Sequence, residues 1–210
     1  MHAFDSRKVE QLRIKRYSEP FTFQTLDGIE RAIDENTLMI CNGDTPVAIA
    51  GIMGGLDSEI VEDTTTLTLE SATFDAVSVR KSTVRLAHRT DASMRYEKCL
   101  DPEMTVPAIA RFVKLLTDTD QNARVVSSLT DEYARRYPEV VLDFDKAYVD
   151  RYTGIEIPNE TILHTLRSLG FEAENNGYNF PFLVPAWTRT QYVTPKAHTH
   201  RAPARLHGPP

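Results

Sequence analysis

Few side chains in this 210-residue chain are of a type and spacing that could do chemistry. The two cysteines, Cys41 and Cys99, lie far apart and form no CxxC pair. That argues against a zinc site and a disulfide scaffold, and it fits a reducing compartment. His88, His164 and the histidines of the C-terminal tail have no partners at metal-ligand spacing, so no metal is expected and they read as surface or core polar groups. No Ser-His-Asp set, thiol nucleophile or glycine-rich phosphate loop stands out. What remains is an acid, Glu70, that ends the alternating run Thr66-Leu-Thr-Leu-Glu70, and a glycine group, Gly51, Gly54 and Gly55, ahead of it. A strand-end glutamate is ordinarily solvated or paired with an arginine. A glycine in such a run either lets backbone approach closely or serves a bulge or turn, and Gly54-Gly55 read as the latter.

The elements that must hold these residues are strands first and helices after. Residues 12–17 and 21–26 alternate at period two, and Asp27-Gly28 is a hairpin signal. Residues 37–41 and 46–50 are short apolar runs flanking the turn Asn42-Gly43-Asp44. Residues 76–86 carry a mixed helix pattern rich in cations. Asp101-Pro102-Glu103 is a strong helix start, with a capping acid and a proline in the first turn. The apolar face that follows is Val106, Ile109, Val113 and Leu116. Near residue 138 the pattern changes. Residues 139–143 read as a strand, and Pro158-Asn-Glu opens a helix bearing Ile162, Leu163, Leu166 and Leu169, closed by Gly170. Residues 171–184 read as a hairpin broken at Asn175-Asn-Gly177. Residues 197–210 show neither periodicity nor a core and read as an irregular tail.

Composition sets the outer limits. The chain is 41% hydrophobic and 26% charged, ordinary for a soluble globular protein of one domain or two small ones. No apolar run approaches the ~20 residues that span a bilayer, so no membrane partner is expected and a cytoplasmic location is. The net charge of −6 excludes a generic nucleic-acid-coating protein, and DNA is not an expected partner. Charge is uneven, however: beyond Glu174 there is no acid, only Arg189, Lys196, Arg201, Arg205 and three histidines.

A series of short blocks goes further than pattern. In order they are HAFD (residues 2–5), TLDG (25–28), AIAGIMGG (48–55), SEI (58–60), LESATFD (69–75), RTDAS (89–93) and EKCLDP (97–102). Their order and spacing resemble the editing domain of the beta subunit of bacterial phenylalanine–tRNA ligases. VDRYTG (149–154), LRSLGF (166–171) and VPAW (184–187) resemble the small domain that follows it in that family. The resemblance implies an α+β chain in three parts: a partial editing domain over 1–137, with a mixed or antiparallel sheet and flanking helices, a partial small α+β domain over 138–196, and the tail over 197–210.

The resemblance also implies a chemistry, hydrolysis of tyrosine wrongly esterified to the phenylalanine tRNA. An apolar synthetic pocket rejects one extra hydroxyl only weakly, whereas a second site can demand it. Glu70 stands where the family places an acid that accepts a hydrogen bond from the tyrosine hydroxyl; left unpaired, that acid penalises phenylalanine. Gly51 matches a position where backbone approaches the substrate, and Ala92 a small pocket-wall residue. Thr90 matches a wall residue whose hydroxyl can hold a water or the ester. His2 matches a pocket histidine that positions the attacking water or the terminal ribose, or acts as a base. Taken alone, Thr90 and Ala92 are simply loop residues, and Asp75, Arg80 and Asp91 orient the pocket or form ordinary surface ion pairs. Hydrolysis would use activated water, assisted by the tRNA's own terminal hydroxyl. The implied partners are the tRNA(Phe) acceptor end and the ligase alpha subunit of a heterotetramer. That parent complex uses ATP and Mg, with no cofactor expected on this chain. A non-catalytic RNA- or subunit-binding module is the alternative. The family's domain begins before HAFD and continues past VPAW, so truncation at both ends and an exposed sheet edge are expected.

Overall fold

The computed structural model describes residues 1–134, 136–173 and 179–186. The chain divides after Ser127 into two compact units. The boundary expected after residue 137 lies ten residues further on. Among the described residues, no helix or strand occupies the intervening stretch.

In the first unit, turn chemistry and period-two alternation produce short antiparallel strands. β2 (Leu12–Lys15), β5 (Met39–Asn42), β6 (Thr45–Ile49) and β7 (Met53–Gly54) form a four-stranded sheet in the order β2-β5-β6-β7. The Asn42-Gly43-Asp44 turn joins β5 to β6, and the register shifts by a bulge between Ile40 and Cys41. β3 (Phe21–Gln24) and β4 (Glu30–Ile33) make the hairpin expected around Asp27-Gly28. A single antiparallel bridge from Thr25 to Gly55 ties that hairpin to the end of β7. β1 (His2–Asp5) pairs only with β8 (Leu67–Glu70) among the described strands, in a register that sets His2 opposite Glu70. The inward side chains Phe4, Phe23, Ile33, Met39, Ile49, Ile52, Phe74 and Val79 form one core.

One ion cluster locks the far end of β1. Asp5 is fully buried, and Arg7 clasps its carboxylate at 2.6 Å. Thr64 donates to the same Asp5 oxygen at 2.7 Å, and Arg7 reaches on to Asp63 at 2.9 Å. These bonds satisfy the buried charge, as burial requires, and pin β1 to the loop that leads into β8.

Three helices complete this unit. α1 (Ala76–Arg85) is capped by Asp75, which accepts from Ser78 N at 2.7 Å, and it buries Ala76, Val79, Ser82 and Thr83. α2 (Asp91–Tyr96) occupies a stretch that reads as loop in the sequence, because six residues are too few to show helical periodicity. After Asp101, Pro102–Met104 form a 3-10 turn, and α3 (Thr105–Thr119) follows. The expected apolar face of α3 is present in the sequence, but no α3 side chain is buried among the described residues. Periodicity reports a face able to bury, not one that has found a partner.

The second unit is smaller. β9 (Val141–Asp145) lies beside β11 (Asn179–Leu183), which also pairs with β10 (Glu172–Ala173), all antiparallel. α4 (Lys146–Thr153), which the sequence reading did not include, starts directly from β9 with Asp145 as its cap. α5 (Asn159–Ser168) is the expected helix after Pro158. Its Ile162, Leu163 and Leu166 pack with Phe144, Val149, Ile157 and Phe182 in a separate core. The Asn175-Asn-Gly177 turn, the end of VPAW and the tail lie outside the described residues. Every described strand pairing is antiparallel, which gives the α+β class expected from the sequence.

Candidate functional site

Glu70 ends β8 with its side chain turned inward, only 8% exposed. No described residue bonds its Oε1. A buried carboxylate oxygen without a partner is unusual enough to need a reason. Burial pushes the Glu70 carboxyl above its ordinary value, and the positive charge at the chain's amino end partly opposes this.

The register puts His2 directly across the β1–β8 ladder from Glu70. The His2 ring packs at 4.3 Å on Phe4, which is fully buried. Burial, with the neighbouring amino end, pushes the imidazole below its usual range, so its neutral form is favoured. A neutral imidazole can accept a proton from water, as a base must.

The two flanking glycines face different neighbours, Gly51 the core and Gly54 the His2 ring. Gly51 has φ +70, a conformation that disfavours side chains. A Cβ there would lie 3.1 Å from Phe74 Cδ2, 3.2 Å from Val79 Cγ2 and 3.3 Å from Tyr96 Cγ. Gly54 carries no such dihedral, but a Cβ on it would lie 2.6 Å from His2 Cε1 and 2.9 Å from Nε2. Gly54 therefore belongs to the site, where the sequence had suggested a turn. Gly55 differs: a Cβ there would meet Phe23 Cζ at 2.5 Å and the Val47 carbonyl at 2.9 Å, both in the fold's interior.

The RTDAS segment docks against the turn between β6 and β7 that holds Gly51. Thr90 caps α2: its Oγ1 donates to the Ile52 carbonyl at 2.8 Å and accepts from Ser93 N at 3.1 Å. Ser93 Oγ in turn accepts from Thr90 N at 2.9 Å, closing a reciprocal capping box. The Thr90 proton is thus committed to backbone, and any contact with a ligand would be as an acceptor. Ala92 sits exposed in the first turn of α2. His88, read from the sequence as an ordinary polar residue, packs its Nε2 3.3 Å from Met53 Sδ.

The sequence reading did not single out Tyr96. Its ring is buried, packs on Phe74 at 5.3 Å and lies beneath Gly51. Its hydroxyl accepts from the Met1 nitrogen at 3.2 Å. Burial, and after it the charge of Glu70, push the phenol up to about 12. No local signal marks Tyr96, because its partners lie up to 95 residues away.

The structure therefore gathers His2, Gly51, Gly54, Glu70 and Tyr96 around the end of the β1–β8 pair, with Thr90 bonded to the turn between the glycines. Asp75 is an exposed helix cap, and Arg80 and Asp91 are exposed as well. The arrangement sets a buried carboxylate with an unpaired oxygen beside an imidazole and a phenol.

Comparison with known proteins agrees with the fold. Residues 1–121 match the family described as the B3/4 domain. The phenylalanine–tRNA ligase beta subunit of Clostridium acetobutylicum is 37% identical over 189 residues, which are 89% of this chain and 24% of that protein. The beta subunit of Salinibacter ruber is 33% identical over 210 residues, covering 99% of this chain and 25% of its own length. That of Syntrophus aciditrophicus is 39% identical over 82% of this chain and 22% of its own. The chain thus spans about a quarter of the length of the curated relatives it matches. A solved N-terminal fragment of the phenylalanyl-tRNA synthetase beta subunit from Pyrococcus horikoshii superposes with a TM-score of 0.53. It covers 99% of this chain and 59% of that one at 12% identity, a likeness of fold alone.

Proposed function

The chain belongs to the B3/4 domain family, and from that premise we propose that it forms the post-transfer editing site of a phenylalanine–tRNA ligase beta subunit. The observation that carries this reading is the buried, unpartnered Oε1 of Glu70. In an aromatic pocket, that oxygen accepts a hydrogen bond from the hydroxyl of a tyrosyl group. A phenylalanyl group would leave it desolvated and unpaired, a penalty of about 1–3 kcal/mol or more for a charged acceptor. Such a site discriminates by demanding the hydroxyl that a synthetic pocket excludes poorly.

The reaction is hydrolysis of an ester. Water adds through its oxygen to the ester carbonyl, the bond to the ribose oxygen breaks, and that oxygen leaves with a proton. His2, held neutral by burial, positions or deprotonates the water. Thr90 Oγ1 offers its remaining acceptor capacity to the water or ester, and the bare backbone of Gly51 lets Phe74 and Tyr96 pack close against it. The tRNA(Phe) acceptor end would be the partner at this site, in the cytoplasm, with the alpha subunit completing the parent assembly. ATP and Mg would serve that assembly's synthetic reaction. Among the described residues, no helix is long and apolar enough to cross a membrane.

Glu70→Ala is the decisive variant. We expect it to fold normally while losing most deacylation of tyrosyl-tRNA(Phe). Unchanged deacylation at normal thermal stability would sink the assignment. The exposure of Val106, Leu115 and Leu116 on α3 favours a second reading, a non-catalytic RNA- or subunit-binding module. Equal tyrosyl-ester release with and without the protein would support it.

A further inference from the structure

We propose that Tyr96 is a second specificity residue of the pocket, and that a ligand hydroxyl bridges it to Glu70, donating to the carboxylate while accepting from the Tyr96 phenol. This inference rests on the editing reading above and names a recognition partner that reading does not contain.

The geometry is as follows. Tyr96 is 9% exposed, and its ring packs on Phe74 and against the backbone of Gly51. Its hydroxyl lies at the amino end of β1, where it accepts from the Met1 nitrogen. The next residue, His2, is the register partner of Glu70. The phenol and the carboxylate thus belong to one end of the same strand pair. A phenolic hydroxyl has one proton and two acceptor positions. One acceptor position of Tyr96 is used by Met1, and no described acceptor takes the proton. Glu70 Oε1 is the mirror case, a buried acceptor with no described donor.

These two unfilled groups are not bonded to each other. Both sit at the amino end of β1, Tyr96 on Met1 and Glu70 across from His2, yet the carboxylate oxygen is left without a partner. A phenol keeps its proton at neutral pH, so the group is a donor. A single hydroxyl between them would satisfy both, because a hydroxyl donates and accepts at once. An aromatic amine donates but accepts poorly, and a methyl ether accepts but cannot donate. The site is therefore selective for a phenol, not merely for any donor on a ring.

The test uses non-hydrolysable 3′-amide conjugates of adenosine with tyrosine, p-aminophenylalanine, p-methoxyphenylalanine and phenylalanine. Binding to the full chain is measured by titration calorimetry. The wild type should prefer the tyrosyl over the p-aminophenylalanyl conjugate by roughly tenfold, about the worth of one hydrogen bond. Tyr96→Phe keeps the ring and removes the hydroxyl, and should bring that ratio close to one. An unchanged ratio in Tyr96→Phe overturns the bridge, while leaving the Glu70 reading intact if Glu70→Gln still abolishes the preference for tyrosyl over phenylalanyl. A wild type with no preference between tyrosyl and phenylalanyl overturns both readings. Should Tyr96→Phe fold poorly, the wild-type series decides alone: equal affinity for the phenol and the amine, or for the phenol and the ether, refutes the proposal.

Discussion

Gly54→Ala separates a site glycine from a structural one. The added Cβ would lie 2.6 Å from His2 Cε1, 2.9 Å from His2 Nε2 and 3.1 Å from Leu26 Cδ1. Carbon atoms prefer separations of about 3.5–4.0 Å, so the imidazole must retreat by about 1 Å. Fully buried Phe4 packs on the same ring at 4.3 Å and restricts where it can go. The ring must shift from its present place. Because His2 is half-buried, the cost to stability should fall at the low end of overpacking, about 1 kcal/mol. The cost to hydrolysis should be far larger, since a displacement of about 1 Å in a positioning group is worth about a hundredfold in rate. Gly55→Ala is the control. Its Cβ meets a backbone carbonyl and the core ring of Phe23, so it should cost about 2–3 kcal/mol of stability. Deacylation of tyrosyl-tRNA(Phe) and thermal melting, measured on both variants, test the contrast. A Gly54→Ala protein with wild-type deacylation would refute the placement of His2 at the reacting group. So would a loss of rate that merely tracks the loss of stability in both variants.

Gly51→Ala combines a left-handed backbone with contacts of 3.1–3.3 Å to three core side chains. Denaturant titration should show a loss of about 2–4 kcal/mol. Thr90→Ala removes a cap and the Ile52 tie and should lower stability by about 1 kcal/mol, with Thr90→Ser restoring most of it; a serine variant as unstable as alanine would argue against the capping role. Stability should also depend on acid. The Asp5 carboxyl is held well below the carboxylate range by Arg7 and Thr64, and the Asp27 carboxyl is lowered to about 2, chiefly by the Thr25 hydroxyl. Both folded values are depressed, so their contribution is complete above the ordinary carboxylate value of about 4. It is lost as pH falls through 4 towards 2 and below. Melting temperature followed across that window should drop in the wild type and drop less in Asp5→Asn, which starts lower.

Much of the fold was legible in local pattern. Asp27-Gly28 and Asn42-Gly43 marked the turns that they occupy, and Pro158 with Ile162, Leu163 and Leu166 marked α5, because each signal is carried by residues within a few positions. α2 was not legible, since it is one and a half turns held by a cap whose anchor, the Ile52 carbonyl, lies 38 residues back. α3 was legible as a helix but not as a half-exposed one, because periodicity cannot say whether a face is covered.

For the site, the sequence by itself determined that Glu70 ends a strand and that a glycine-rich turn precedes it, and its motifs supplied the resemblance that gave these residues a role. Only the tertiary structure decided that the Glu70 carboxylate is buried with one oxygen unpaired, that Gly54 yields space to His2, and that Tyr96 joins them. The physical reason is the same in each case. Burial and hydrogen-bond satisfaction depend on side chains brought together from β1, β7, β8 and α2, and no window along the chain contains all four.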